Sequence, residues 1–103
     1  MQYMGDYQVL AHVETPECSM RFISLGENSY VAPHYHSECN QLYAILEGMV
    51  EATLGERTFR LRPYETTRIE KDIVHSVRAV GRPALILSVS IPPMKREDQH
   101  PVE

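Results

Sequence analysis

Along most of the chain, apolar residues come in short runs that favour β-branched, aromatic and aliphatic types, and a turn signal cuts off each run. The pattern predicts nine strands: 7–13 (YQVLAHV), 20–25 (MRFISL), 28–36 (NSYVAPHYH, bent at Pro33), 41–46 (QLYAIL), 49–54 (MVEATL), 57–61 (RTFRL), 65–69 (ETTRI), 75–80 (HSVRAV) and 84–91 (ALILSVSI). Glu47-Gly48 and Gly55-Glu56 read as two-residue hairpin turns in which glycine takes the positive φ. Arg62-Pro63-Tyr64 and Gly81-Arg82-Pro83 break the strands on either side of them. No window keeps a helical period of 3.6, and no repeat or low-complexity segment stands out. The final stretch PPMKREDQHPVE (92–103) is proline-bounded and charged, so it is expected to be solvated or loosely packed and dispensable for any site in the barrel.

Nine short strands in 103 residues imply one all-β domain, a sandwich or a barrel, over 1–103, with its core at about 20–91 and a tail at 92–103. LYAIL (42–46) and ALILSV (84–89) are apolar on both faces. One face fills the barrel and the other needs a cover. In so short a chain the expected cover is a second copy, a homodimer joined through outward side chains such as Leu42, Ala44 and Leu46.

Charge and cysteine usage narrow the partners. The net charge of -4 comes with no basic cluster, which argues against a nucleic-acid partner. No apolar stretch is long enough for a transmembrane helix, so no membrane partner is expected. The opening MQYMGDYQVL lacks the basic and apolar regions of a secretory signal. Two cysteines, Cys18 and Cys39, are too few for a disulfide framework, and a reducing cytoplasm is the expected location.

Candidate chemistry lies in PHYHSECNQ (33–41). On a strand, His34 and His36 at i and i+2 put both imidazoles on one face, where their nitrogens can converge on a borderline-soft divalent ion. Two ligands do not make a site, and a His-x-His on a surface strand usually carries no chemistry. Gln41, opening the next strand, and His75, opening a later one, supply a third and fourth side chain if those strands line one barrel. His12 and His100 read as surface residues.

The wider spacing is more specific. Asn28 is followed after five residues by His34-Tyr35-His36, after four more by Gln41 and after six more by Gly48. A fifteen-residue spacer, Met49 to Pro63, follows, and the stretch LRPYETTRIEKDIVHSVRA (61–79) then carries His75 and ends at Ala79. This arrangement resembles the two motifs of the cupin family: Gly, five residues, His-x-His, three or four residues, Glu, six residues, Gly; and Gly-Asp, a short strand, Pro-x-Gly-x-x-His, three residues, Asn. Here Asn28 stands for the first glycine, Gln41 for the glutamate, Tyr64-Glu65 for Gly-Asp, Glu70 for the proline, Asp72 for the second glycine and Ala79 for the final asparagine.

The resemblance implies a cupin-type double-stranded β-helix, a jelly-roll barrel, with a divalent transition metal in its mouth. Iron is the first expectation, with zinc, nickel, manganese or copper as alternatives. Carried over position by position, the ligands are His34, His36, Gln41 and His75, with neutral Gln41 in the place of an acid. A glutamate would cancel one of the metal's charges, whereas Gln41 cancels none, which favours a small anionic ligand on the open positions. Tyr43 and Ile45 share parity with Gln41 and are expected inside, Tyr43 as a core aromatic able to donate a hydrogen bond near the metal; Tyr35 is expected to point away. Cys39, Glu38, Glu70 and Asp72 read as turn residues, and Arg57, Arg60, Arg62, Arg68, Arg78 and Arg82 are scattered, none singled out. No catalytic residue is assigned. Dioxygenase-like chemistry leads, with a metal-assisted isomerase or lyase and a non-catalytic binding or sensory protein as the alternatives.

Overall fold

The computed structural model describes residues 5–102, so the reading of 1–103 as one domain extends beyond the described residues at 1–4 and 103. Ten strands form: β1 (Gln8–Glu14), β2 (Ser19–Leu25), β3 (Tyr30–Tyr35), β4 (Asn40–Glu47), β5 (Val50–Leu54), β6 (Arg57–Leu61), β7 (Thr66–Ile69), β8 (His75–Ala79), β9 (Ala84–Ile91) and β10 (His100–Pro101). The first nine are the predicted strands, with ends moved by no more than two residues. Together with β10 they make two five-stranded antiparallel sheets, β1-β2-β9-β4-β7 and β10-β3-β8-β5-β6. The architecture is the expected all-β, double-stranded β-helix.

Alternation places one side of each sheet inside. In β9 the inward residues are Ala84, Ile86, Ser88 and Ser90, and in β4 they are Gln41, Tyr43 and Ile45. The antiparallel register aligns them in rows. Ile23, Ile86 and Ile45 stand side by side, as do Arg21, Ser88 and Tyr43, and then Ser19, Ser90 and Gln41. The facing sheet has the same gradient, from Ala79 beside Val50 to His34 beside His75. One end of the interior is therefore apolar and the other polar. The strand through β3 is irregular between Val31 and His34, where Pro33 has no N–H to give to the ladder.

Two expectations are corrected. Gly55 does make a β5–β6 hairpin, with Leu54 opposite Arg57. Glu47-Gly48 instead carries the chain between sheets, since β4 and β5 belong to different ones. Gly48 is required there for a second reason besides its φ of 78°: a Cβ would run into the Pro83 carbonyl oxygen and lie 2.9 Å from Ala84 Cα. The tail is not loosely packed. Met94 and Asp98 are buried, a 3-10 turn forms at Arg96–Asp98, and β10 pairs with β3. No position in the tail repeats with a period, so its few buried contacts left no pattern in the sequence.

The residues that stand for motif glycines keep the glycine backbone. Asn28, Tyr64 and Asp72 have φ of 59°, 70° and 69°. Each is the third residue of a tight turn, closed by Ser29 N to Gly26 O, Glu65 N to Arg62 O and Ile73 N to Glu70 O.

Candidate metal centre

β3 and the residue after it deliver His34 and His36, β4 delivers Gln41 and β8 delivers His75. All four side chains are buried. Ring centroids lie 4.9 Å apart for His34 and His36, 4.2 Å for His34 and His75, and 5.3 Å for His36 and His75. One ligating nitrogen from each of the three lies within 4.8 Å of the others.

Backbone carbonyls fix the tautomers. Nδ1–H of His34 donates to Ala32 O at 2.7 Å, that of His75 to Ile73 O at 3.0 Å, and that of His36 to Asp98 O at 2.8 Å. A carbonyl can only accept, so each Nδ1 carries the proton and each Nε2 keeps a lone pair. The Nε2 atoms of His36 and His75 are buried without a hydrogen-bond partner. Gln41 turns its amide nitrogen to Ser90 Oγ at 3.0 Å, which leaves its Oε1 buried and unpartnered as well. A cluster of buried acceptors with no donor among them is costly unless something positive sits between them.

A proton does not fill that place well. Burial, and then the proximity of His34, lower the His75 pKa to about 3. Burial lowers His34 to about 4 against the opposing hydrogen bond to Ala32, and it lowers His36 as well. The rings are therefore neutral at pH 7, the form in which imidazole binds metals. Geometry, tautomer and protonation are together compatible with a transition-metal site. The second buried group, His36, Cys39 and Asp98, differs in kind. Its carboxylate is already occupied, accepting from Ser37 N at 2.9 Å, Ser37 Oγ at 2.8 Å and Glu38 N at 2.9 Å. Burial alone would raise the Asp98 pKa, but these bonds and one from His100 outweigh it and hold the carboxyl down to about 2. Burial pushes the Cys39 thiol up, away from reactive thiolate.

Tyr43 faces the interior, and burial keeps its hydroxyl protonated and able to donate. Tyr35 faces outward and stacks on His100, whose Nε2 lies 3.1 Å from Asp98 Oδ1. Glu38, Glu70 and Asp72 are exposed; the Asp72 backbone N–H nevertheless donates to His36 O at 2.7 Å. A cavity of about 20 Å³ beside the histidines is lined by Arg21, His34, His36, Gln41, Tyr43 and Ser88, among others, with Met94 and Gln99 of the tail. Arg21, Met94, Gln99 and Asp98 were missed from sequence. A larger groove of about 510 Å³ runs outside the tail, between Glu14, Glu38 and Pro92–Glu97, and holds none of the histidines.

Residues 21–90 match the family described as cupin domain. An uncharacterized protein of Methanocaldococcus jannaschii is 31% identical over 102 residues, covering 98% of this chain and 74% of its own. Among solved structures, an uncharacterized conserved protein with a double-stranded β-helix domain from Klebsiella pneumoniae superposes with a TM-score of 0.80 at 18% identity, over 96% of this chain and 84% of its own. KdgF from Halomonas sp. gives 0.77 at 18% identity, over 91% and 83%. These structural likenesses carry the fold.

Proposed function

The chain belongs to the cupin family, and from that premise we propose that it holds a divalent transition metal through Nε2 of His34, His36 and His75, with Gln41 Oε1 as a fourth ligand, and acts on a small anionic substrate. The observation that carries this reading is the convergence of buried lone pairs, two imidazole nitrogens and one amide oxygen, that no donor satisfies. A bound metal of this kind supplies Lewis acidity and redox reactivity toward dioxygen. Iron and oxygenase chemistry lead, as the cupin resemblance implies, and the neutral ligand set leaves the ion its full charge for an anionic substrate. The rest of the work falls to the chain. The three carbonyls orient the rings, Ser90 orients Gln41, Tyr43 offers a neutral donor, and Met94 keeps water out.

Metal analysis of protein purified without a histidine tag tests the proposal. About one equivalent of metal is expected, with iron favouring an oxygenase, and none after reconstitution would overturn it. Gln41→Glu is expected to bind metal more tightly and azide more weakly, and equal azide affinities would sink the charge argument. The small cavity favours a second reading, a non-catalytic protein for a small ligand; loaded protein that binds anions but consumes no dioxygen with any of them would select it.

A homodimer completes the proposal. The outer face of β2, β9 and β4 shows Met20, Phe22, Leu87, Val89 and Leu42 side by side, with Leu42 exposed. Light scattering at micromolar concentration should give twice the chain mass, and Leu42→Asp should lower it or cause aggregation.

A further inference from the structure

The wall opposite the histidines carries a positive charge that the ligand set does not use. In β2 the inward residues are Ser19, Arg21, Ile23 and Leu25, so Arg21 is the one cation on that face of the strand. Its register partner on β9 is Ser88, and Ser88 pairs with Tyr43 on β4. The row therefore presents a guanidinium, a hydroxyl and a phenol to the cavity that His34, His36 and Gln41 also line.

Arg21 is also held in place. Its Nε–H donates to His12 Nδ1 at 3.1 Å, and His12 Nε2 lies 3.4 Å from Glu14 Oε1. That chain engages the side of the guanidinium and leaves its Nη groups uncommitted to it. Among the described residues no carboxylate lies within ion-pair distance of Arg21. It lines the same cavity as His34, His36 and Gln41. An uncompensated guanidinium beside a partly closed polar cavity is a fork-shaped receptor for a planar anion.

We propose that Arg21, in line with Ser88 and Tyr43, is the anion-recognition residue of this site and that its ligand is a small carboxylate lying between that row and the histidines. The inference rests on the metal reading above and names the substrate class for it. A carboxylate there meets positive charge on two sides, the ion and Arg21, while the Ser88 and Tyr43 hydroxyls supply neutral donors. The cavity of about 20 Å³ admits only a few atoms, so a larger acid has to displace Met94 and Gln99.

The test uses the whole chain loaded with cobalt(II), whose visible spectrum reports both metal uptake and ligand binding. Formate is the probe, and formamide is its neutral counterpart. Wild type and Arg21→Gln should take up cobalt equally. Formate should then bind the variant at least about tenfold more weakly, as expected when a charged hydrogen bond from a half-buried guanidinium is lost. Formamide should bind weakly to both, and Arg21→Lys should keep part of the formate affinity. Cobalt uptake with equal formate affinity in wild type and Arg21→Gln would overturn the role of Arg21 alone. Failure of wild type to take up cobalt would overturn the metal reading and this proposal with it. Should Arg21→Gln fail to fold, Arg21→Lys decides, because an unchanged formate affinity there removes the fork argument.

Discussion

At one end of the barrel, Ile23, Ile86 and Ile45 lie in a row with Leu25 and Ala84 behind them, facing Val50, Leu61 and Ala79. At the other end the same strands present Ser90, Gln41, Ser88 and Tyr43 to His34, His36 and His75. Both ends are buried, and β4, β8 and β9 contribute to both. The apolar end gains from leaving water, whereas the polar end loses hydration that its lone pairs do not recover within the chain. The difference teaches where stability and binding are stored. The isoleucine rows hold the fold, and the histidine end, with its unsatisfied lone pairs, draws on that stability.

The sharpest way to break this comparison is one truncation at each end. Ile86→Ala should cost about 2–5 kcal/mol of unfolding free energy, because a fully buried side chain leaves a cavity lined by packed neighbours. His75→Ala should cost the metal-free protein about 1 kcal/mol or less, since it also removes an unsatisfied nitrogen. Metal should raise the melting temperature of wild type through linkage and should no longer do so for the variant. Urea denaturation with and without metal measures both. Equal losses at the two ends in metal-free protein would refute the division.

Acid should act on the polar end alone. The folded pKa values of about 4 for His34 and about 3 for His75 lie below the ordinary 6.5, so the unfolded chain takes up protons first. Stability of the metal-free protein is therefore complete above pH 6.5 and falls as pH drops from there toward 3 to 4. At pH 5.5 the loss is on the order of 1 kcal/mol for each of these two histidines, and His36, lowered by burial as well, adds to it. Metal binding should likewise weaken below the ordinary histidine pKa but persist further into acid than at an exposed site. Denaturation at pH 7.5 and 5.5 tests this. His75→Ala should shrink the difference by on the order of 1 kcal/mol, and an unchanged difference would assign the acid sensitivity elsewhere.

A smaller effect comes from outside the barrel strands. Asp98 ties the loop after His36 to the tail through three bonds, while its own carbonyl fixes the His36 ring. Asp98→Ala leaves the Ser37 and Glu38 N–H groups to find water and should cost about 2 kcal/mol, with weaker metal binding. Asp98→Asn, which keeps an acceptor oxygen, should recover part of both. Removal of residues 92–103 should weaken metal binding too, opposite to the expectation from composition. Metal titrations of the folded variants decide, and wild-type affinity after truncation would show that the tail only covers the site.

How much of this was legible follows the same physics. Strand positions were legible because alternation and turn residues are local signals. His34 and His36 were legible because a spacing of two on a strand fixes a shared face, and His75 because the wider motif spacing resembles the cupin pattern. The sheet change at Gly48 was not, because a hairpin and a crossover need the same positive φ and differ only in distant partners. Arg21 was passed over because MRFISL is apolar at both parities around it, so the sequence alone does not say which side faces in. Asp98 and Met94 act through a few long-range contacts, which leave no period to read.

The smallest effect compares two turns, one near each end. Tyr64 sits at φ 70° beside the apolar end, where its N–H donates to Ile45 O at 2.6 Å. Asp72 sits at φ 69° beside the histidines, with its N–H on His36 O. Left-handed backbone costs an ordinary L-residue about 1–2 kcal/mol, but Asp tolerates it better than a bulky aromatic does. Tyr64 is 87% exposed, so replacing it forfeits little packing. Tyr64→Gly should therefore stabilise the protein by about 0.5–1 kcal/mol, the strain relieved less the entropy that glycine adds to the unfolded chain. Asp72→Gly should change stability by less than about 0.5 kcal/mol, because there is less strain to relieve. Urea midpoints of the metal-free proteins measure both. A loss of stability in Tyr64→Gly would mean that the turn owes its geometry to contacts of the tyrosine side chain and that its backbone carries no relievable strain.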